Sequence, residues 1–172
     1  GEKHMKTFGR VLTAMITSFN EDGSVNIENT VAIAQHLLDH GSDGLVVCGT
    51  TGENPTISRE SKIALFKAIA KACGDKGTII ANVGSNDTKG SVDFVKEVSA
   101  IPGIDGLLVV VPYYNKPNQQ GQYLHFKSIA EATTLPIMVY NVPGRVGTGI
   151  FPVTLARLHK EYPHICAIKE AS

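Results

Sequence analysis

The chain has 172 residues, 42% of them hydrophobic and 19% charged, and its sixteen basic and sixteen acidic side chains cancel to a formal charge of zero. That length suits a single domain with a real core, and the charge balance excludes the long-range field that holds nucleic acid or an anionic membrane surface. No apolar run approaches the ~20 residues of a membrane span, and Gly1-Glu2-Lys3-His4-Met5 reads as a tag remnant before a start Met, not as a signal peptide. A cytoplasmic protein without nucleic-acid or membrane partners is expected, and the balance says nothing against a small anionic substrate, which needs only one or two local cations.

Short apolar runs alternate with helical patterns along the whole chain. Residues 11–16 form the first predicted strand. Asn26 then offers an N-cap to a helix carrying Val31, Ala34 and Leu38 in a 3-and-4 rhythm. The second strand is 45–48. Behind it Ser58 opens a helix with Ile63, Phe66, Ala70 and Cys73 on one face and Gly74 as its stop. The third strand is 78–83, followed after Asp87 by a helix with Val92, Val95 and Ser99 inward. The fourth, 106–111, contains the unbroken run Leu107-Leu108-Val109-Val110-Val111, and a break at Gly121 precedes a helix with Phe126, Ile129 and Thr133. The fifth is 136–140. Pro152, a favoured first-turn residue, starts a last short helix through Leu155 and Leu158, and the sixth strand is 165–169.

Nearly continuous Val/Ile/Leu strands are those of a parallel sheet covered on both faces, so the class is α/β. A strand–helix period of about thirty residues fits either an open doubly wound sheet or a (β/α)₈ barrel. The pattern alone does not choose. No Gly-x-Gly-x-x-Gly and no Gly-x-x-x-x-Gly-Lys-Ser/Thr follows a strand, which removes the dinucleotide and P-loop fingerprints. No linker or low-complexity tract divides the chain, so residues 1–172 read as one domain.

Ligands of parallel α/β proteins sit at the carboxyl ends of the strands. Four of those strand ends are chemically unusual. Gly49-Thr50-Thr51-Gly52-Glu53 offers backbone N–H groups and two hydroxyls, which can hold a carboxylate; a turn that merely caps a helix is the plain alternative. Pro112-Tyr113-Tyr114-Asn115-Lys116-Pro117 pairs two tyrosines, commonly packing or interface residues. Tyr140-Asn141-Val142-Pro143-Gly144-Arg145 ends a strand on a phenol and follows it with an Arg fork, either a carboxylate clamp or a solvated Arg. In Ile165-Cys166-Ala167-Ile168-Lys169-Glu170 a lysine ends an apolar strand. A desolvated Lys has a lowered pKa and a nucleophilic amine able to form an imine with a ketone; a structural ion pair, or a stem reaching solvent, competes with that reading.

Other constellations fall short. His36 and His40 stand four apart on one helix without a Glu between them or a third ligand, and this spacing favours a solvated helix face over a metal site. His125, His159 and His164 are scattered, and no Gly-x-Ser-x-Gly elbow is present. Cys48, Cys73 and Cys166 each lie in an apolar segment and are expected to be core thiols in a reducing compartment.

Taken in order, the four loops resemble those of the dihydrodipicolinate synthase and N-acetylneuraminate lyase superfamily of (β/α)₈ barrels, over essentially all of residues 11–172. Tyr114 and Arg145 favour the synthase branch, since lyases and sugar-acid aldolases usually lack both. The resemblance implies a lyase of lysine and diaminopimelate biosynthesis that condenses pyruvate with L-aspartate-4-semialdehyde to give 4-hydroxy-tetrahydrodipicolinate. It also implies a role for each matching residue. Lys169 forms the imine, and Tyr140 moves protons through Thr50 to Tyr114. Thr50 and Thr51 hold pyruvate, and Arg145 holds the semialdehyde carboxylate. No cofactor or metal is implied beyond the covalent imine, and a homodimer or homotetramer is, with Tyr114 reaching into the neighbouring subunit's site. The alternatives are another pyruvate aldolase, such as an N-acetylneuraminate or 2-keto-3-deoxy sugar acid lyase, or an inactive fragment.

Two departures matter. A full barrel has eight strands in roughly 250 residues, and six strands are predicted here, so an incomplete barrel with weak or absent activity of its own is expected. Lysine-inhibited relatives carry a Glu where this chain has Gly90, and histidines near Arg59 and Lys62; Asn86 and Tyr113 remain. An ammonium without its carboxylate partner is costly to bury, so little feedback inhibition by lysine is expected.

Overall fold

The computed structural model describes residues 11–47, 57–83, 88–112, 118–141 and 149–170, with the backbone alone at 169 and 170. Two compact units divide the chain: Gly1–Asn82 with Ala100–Gly106, and Val83–Ser99 with Leu107–Ser172.

The first unit runs β1 (Leu12–Ala14), α1 (Ile27–Asp39), β2 (Gly44–Val47), α2 (Arg59–Cys73) and β3 (Thr78–Asn82). Its strands are parallel, with Leu12, Gly44 and Thr78 level with one another. Every residue of β2 and the first four of β3 are buried, as strands covered on both faces must be. Gly44 is required by that closeness: a Cβ there would stand 2.7 Å from the Thr78 carbonyl oxygen and 2.8 Å from Leu12 Cδ2. Both expected caps form. Asn26 Oδ1 accepts from the Asn29 amide at 2.9 Å, and Ser58 Oγ accepts from the Ser61 amide at 3.1 Å. Gly74 ends α2, whose buried face is Leu65, Phe66, Ile69, Ala70 and Cys73.

The second unit holds α3 (Thr88–Ser99), β4 (Gly106–Val110) from Leu107 onward, α4 (Gln119–Glu131), β5 (Ile137–Asn141), α5 (Pro152–Glu161) and β6 (Ile165–Glu170). β4 pairs parallel to β5, and β5 to β6. Two helical expectations need correction. Gly121 is no break: α4 starts at Gln119, capped by Asn118, whose Oδ1 accepts the Gly121 amide at 3.1 Å, and it ends at Glu131, before Thr133. In α3 the buried face is Ser91, Phe94, Val95 and Val98, so the stripe lies around Phe94, with Val92 and Ser99 only half-buried beside it. Cys73 is fully buried and Cys166 half-buried; both are free thiols, and burial pushes both up from the ordinary thiol range, which leaves neither a reactive thiolate. Cys48 lies outside the described residues.

The start of α5 lacks a cap of its own, because Phe151 occupies the N-cap position and has no side-chain acceptor. Gln119 of α4 supplies one from 32 residues earlier. Its Oε1 accepts the Phe151 amide and the Thr154 hydroxyl, each at 2.9 Å, while its Nε2 donates to the Gly149 carbonyl at 3.0 Å. At the other end of α5 the Tyr123 hydroxyl donates to Glu161, and the Arg157 guanidinium lies 3.8 Å over the Tyr123 ring. Replacing Gln119 by Ala is expected to lower unfolding stability by about 1–2 kcal/mol, read as a lower denaturant midpoint at unchanged slope.

His125 is a buried titratable group of this unit, 1% exposed, with Nδ1 2.9 Å from the Thr88 hydroxyl and Nε2 without a hydrogen bond among the described residues. Burial pulls its pKa down to about 4, so the ring is neutral at pH 7. An unfolded chain takes up that proton near pH 6.5 and the folded one only near 4. The neutral ring's contribution is therefore complete above 6.5 and lost as pH falls towards 4, to a total of about 3 kcal/mol. Denaturant titrations from pH 7.5 to 4.5 should show a steeper loss of stability in the native chain than in His125→Gln.

Candidate active site

The ends of β4, β5 and β6 define a single level within the second unit. Val110 pairs with Tyr140, and Tyr140 pairs with Lys169. The Val111 amide donates to the Tyr140 carbonyl at 2.8 Å, which fixes the backbone of the tyrosine against β4. Between β5 and β6 the ladder slips by one: Ile137 pairs with Ile165, but Met138 pairs with Ala167, leaving Cys166 without an opposite number. Counting straight on from Ile137 would set Ile168 level with Tyr140. The extra residue advances β6 and sets Lys169 there instead. Two of the six predicted site residues are thus backbone neighbours, on strands about 4.8 Å apart.

Tyr140 is half-buried, as a residue at the mouth of a strand layer is. Next to it Asn141 is also half-buried, and its Oδ1 is fully enclosed without a hydrogen bond among the described residues. Gly149 backs directly against that oxygen, since a Cβ at Gly149 would come within 3.1 Å of it. Buried polar side-chain atoms are usually hydrogen-bonded, so this oxygen is an exception among the described residues. The sequence reading named Asn141 within its motif but assigned it no role. A polar residue closing the apolar run Ile137-Met138-Val139-Tyr140 was the available signal.

The remaining predicted site residues, Thr50, Thr51, Tyr114 and Arg145, lie outside the described residues, as do Tyr113, Asn86 and the initial Gly1–Met5 stretch. Gly90 falls in α3, and Arg59 and Lys62 in the first turn of α2. No cluster of three metal-ligating side chains occurs among the described residues, and no described helix is long and apolar enough to cross a membrane. A groove between α5 and β6, lined by Leu155, Ala156, Ile165, Ala167 and Ile168, is apolar; its ionisable groups are the Cys166 thiol and His159, whose Nδ1 is 2.6 Å from the Ile165 carbonyl. It offers no paired acid and base.

Comparison with known proteins extends the description beyond these two strand ends. The sequence matches the dihydrodipicolinate synthetase family over residues 7–172. It is 52% identical over 165 residues to the 4-hydroxy-tetrahydrodipicolinate synthase of Desulforamulus reducens, covering 96% of this chain and 55% of that protein. Among solved structures, the synthase of Cyanidioschyzon merolae with lysine bound is 43% identical with a TM-score of 0.89, covering 99% of this chain and 57% of that one. N-acetylneuraminate lyase from Fusobacterium nucleatum is 29% identical with a TM-score of 0.83, over 94% of this chain and 55% of the other. The chain spans about half the length of the relatives it matches. The six strands and five helices of the described residues are accordingly part of a (β/α)₈ barrel, which decides between the two α/β architectures left open by the strand–helix period. The chain belongs to the dihydrodipicolinate synthetase family.

Proposed function

We propose that this chain carries the imine-forming strand ends of a lyase that condenses pyruvate with L-aspartate-4-semialdehyde to give 4-hydroxy-tetrahydrodipicolinate, a step towards diaminopimelate and lysine. The observation that carries the reading is the register that sets Tyr140 and Lys169 level at the carboxyl ends of adjacent parallel strands. A tyrosine level with a lysine on the next strand suits a proton carrier for imine chemistry.

In this mechanism the neutral Lys169 amine adds to C2 of pyruvate, and loss of water leaves an iminium. The positive nitrogen then draws the electrons of a methyl C–H bond, so a proton leaves C3 and an enamine forms. The enamine carbon bonds to the aldehyde carbon of the second substrate, whose oxygen takes up a proton. Attack of that substrate's own amine on C2 closes the ring and returns the Lys169 amine. Tyr140 is the carrier for these protons, relayed through Thr50 to Tyr114, because hydroxyls coupled in a chain hand protons from one to the next. Thr50 and Thr51 hold the pyruvate carboxylate and Arg145 that of the semialdehyde. No cofactor takes part beyond the covalent imine. The working protein is a cytoplasmic homodimer or homotetramer in which residues 1–172 belong to one barrel domain.

A sugar-acid aldolase would share the imine and differ in the aldehyde it accepts. The higher identity to a solved synthase than to a solved lyase, 43% against 29%, together with Tyr114 and Arg145, supports the synthase.

Borohydride added to the chain with pyruvate is expected to leave one stable adduct, mapped by mass spectrometry to Lys169 and absent from Lys169→Ala. No adduct in the native chain, or one on another lysine, would remove the reading. Aspartate semialdehyde should be consumed in preference to N-acetylmannosamine, with weak turnover in the 172-residue chain alone; the reverse preference would favour the lyase.

A further inference from the structure

We propose that Gln119, at the start of α4, is a positioning residue for the second substrate: through the Gly149 carbonyl it fixes the return end of the segment that carries Arg145. The inference rests on the reading of Arg145 as the clamp for the semialdehyde carboxylate. Residues 142–148 follow β5, and the two residues that flank them lie side by side. Gly149 backs on to Asn141, where an added Cβ would meet Oδ1 at 3.1 Å and Nδ2 at 3.4 Å. The two ends are held differently. Asn141 closes β5 and pairs with Glu170 of β6, and the neighbouring Tyr140 carbonyl accepts the Val111 amide, so the departing end is locked in a ladder. Gly149 belongs to no strand or helix. Its carbonyl accepts Gln119 Nε2 at 3.0 Å instead. Burial of Ile150 adds a non-directional hold beside it.

Gln119 uses both ends of one amide here, since its Oε1 also accepts the Phe151 amide and the Thr154 hydroxyl, each at 2.9 Å. None of these three partners is a reacting group, so the residue positions and does not catalyse. Arg145 is the midpoint of its segment, four residues from Asn141 and four from Gly149. At about 3.3–3.6 Å per residue, its backbone stays within roughly 14 Å of both anchors. On so short a tether a shift of the return end is passed on to the guanidinium, and a fork that grips a carboxylate with two parallel bonds tolerates little of it. Misplacement by about 1 Å costs on the order of 10²-fold where a reaction depends on orientation. The imine is set independently, because Lys169 stands on β6 and takes its level from the ladder with β5. Gln119 therefore governs affinity for the second substrate and leaves the first untouched. The bond to Gly149 needs a donor and the bonds from Phe151 and Thr154 need an acceptor, so substitution can separate the two tasks.

Calorimetric titration of the pyruvate-loaded chain with succinate semialdehyde at pH 8 tests this. That probe keeps the carboxylate and the aldehyde and lacks the amine that closes the ring. Gln119→Glu retains an acceptor for Phe151 and Thr154 but, ionised at this pH, has no donor for Gly149. It is expected to lower the apparent affinity about tenfold, with borohydride trapping of pyruvate at Lys169 unchanged. Thr154→Val removes part of the α5 cap and spares the Gly149 bond, so its melting temperature should fall while its affinity stays native. Native affinity in Gln119→Glu, lost pyruvate trapping in it, or an equal loss of affinity in Thr154→Val overturns the proposal. Arg145→Ala separates the proposal from the reading beneath it. Unchanged affinity in Arg145→Ala, or no saturable binding by the native chain, removes the Arg145 reading and the proposal together. Weakened binding in Arg145→Ala beside native binding in Gln119→Glu removes the proposal alone. Should Gln119→Glu fail to melt cooperatively, Gln119→Leu, of similar volume and without polar side-chain atoms, takes its place beside Thr154→Val and is decided by the same outcomes.

Discussion

One unpaired residue in a parallel ladder governs what the second unit can do. Parallel strands hold their neighbours in fixed steps, so the pairing of Ile137 with Ile165 would ordinarily determine every pair after it. Because Cys166 is passed over, the steps beyond it are displaced by one and Lys169 comes level with Tyr140. Without that displacement an isoleucine would stand at the level of the phenol. The cost is one residue without a ladder partner, at a place where its half-buried thiol is chemically quiet.

The rest of the unit packs around that ladder. The first four residues of β4 and the first three of β5 are buried, and the burial stops where Tyr140 and Asn141 begin. Apolar strand followed by half-buried polar end is the division of labour expected of a parallel α/β protein, in which packing fixes the strand and its carboxyl end is left free for chemistry. The helices above are tied by polar contacts between elements: Thr88 to His125 joins α3 to α4, and Tyr123 with Glu161 joins α4 to α5. These contacts are directional, so they orient the helices while apolar burial supplies most of the stability.

Much of this organisation is legible in the amino-acid order. All six apolar runs are strands, with ends within two residues of expectation, because continuous Val/Ile/Leu stretches admit little else at that length. Caps at Asn26 and Ser58 and the proline start of α5 follow from local chemistry. Gly121 misleads because glycine is tolerated within the first turn when a residue such as Asn118 caps that turn from outside. The face of α3 is displaced because Phe94 outweighs the smaller residues counted beside it. Register is another matter. It depends on residues 28 positions apart, and a skipped Cys166 leaves no trace in Ile165-Cys166-Ala167-Ile168. Lys169 and Tyr140 were identifiable as strand ends, whereas their shared level was not. The enclosed amide oxygen of Asn141 was equally hidden, since its isolation arises from packing against Gly149.

The amide of Gln119 makes the start of α5 depend on a side chain of α4. Helix α5 has no acceptor of its own to close its first turn, and residue 119 supplies one to the Phe151 amide and the Thr154 hydroxyl. A ten-residue helix is marginal in isolation, so what holds this one comes from its neighbours more than from its own ends. A change at position 119 is thereby felt 32 residues later, at the entrance to the helix that leads into β6.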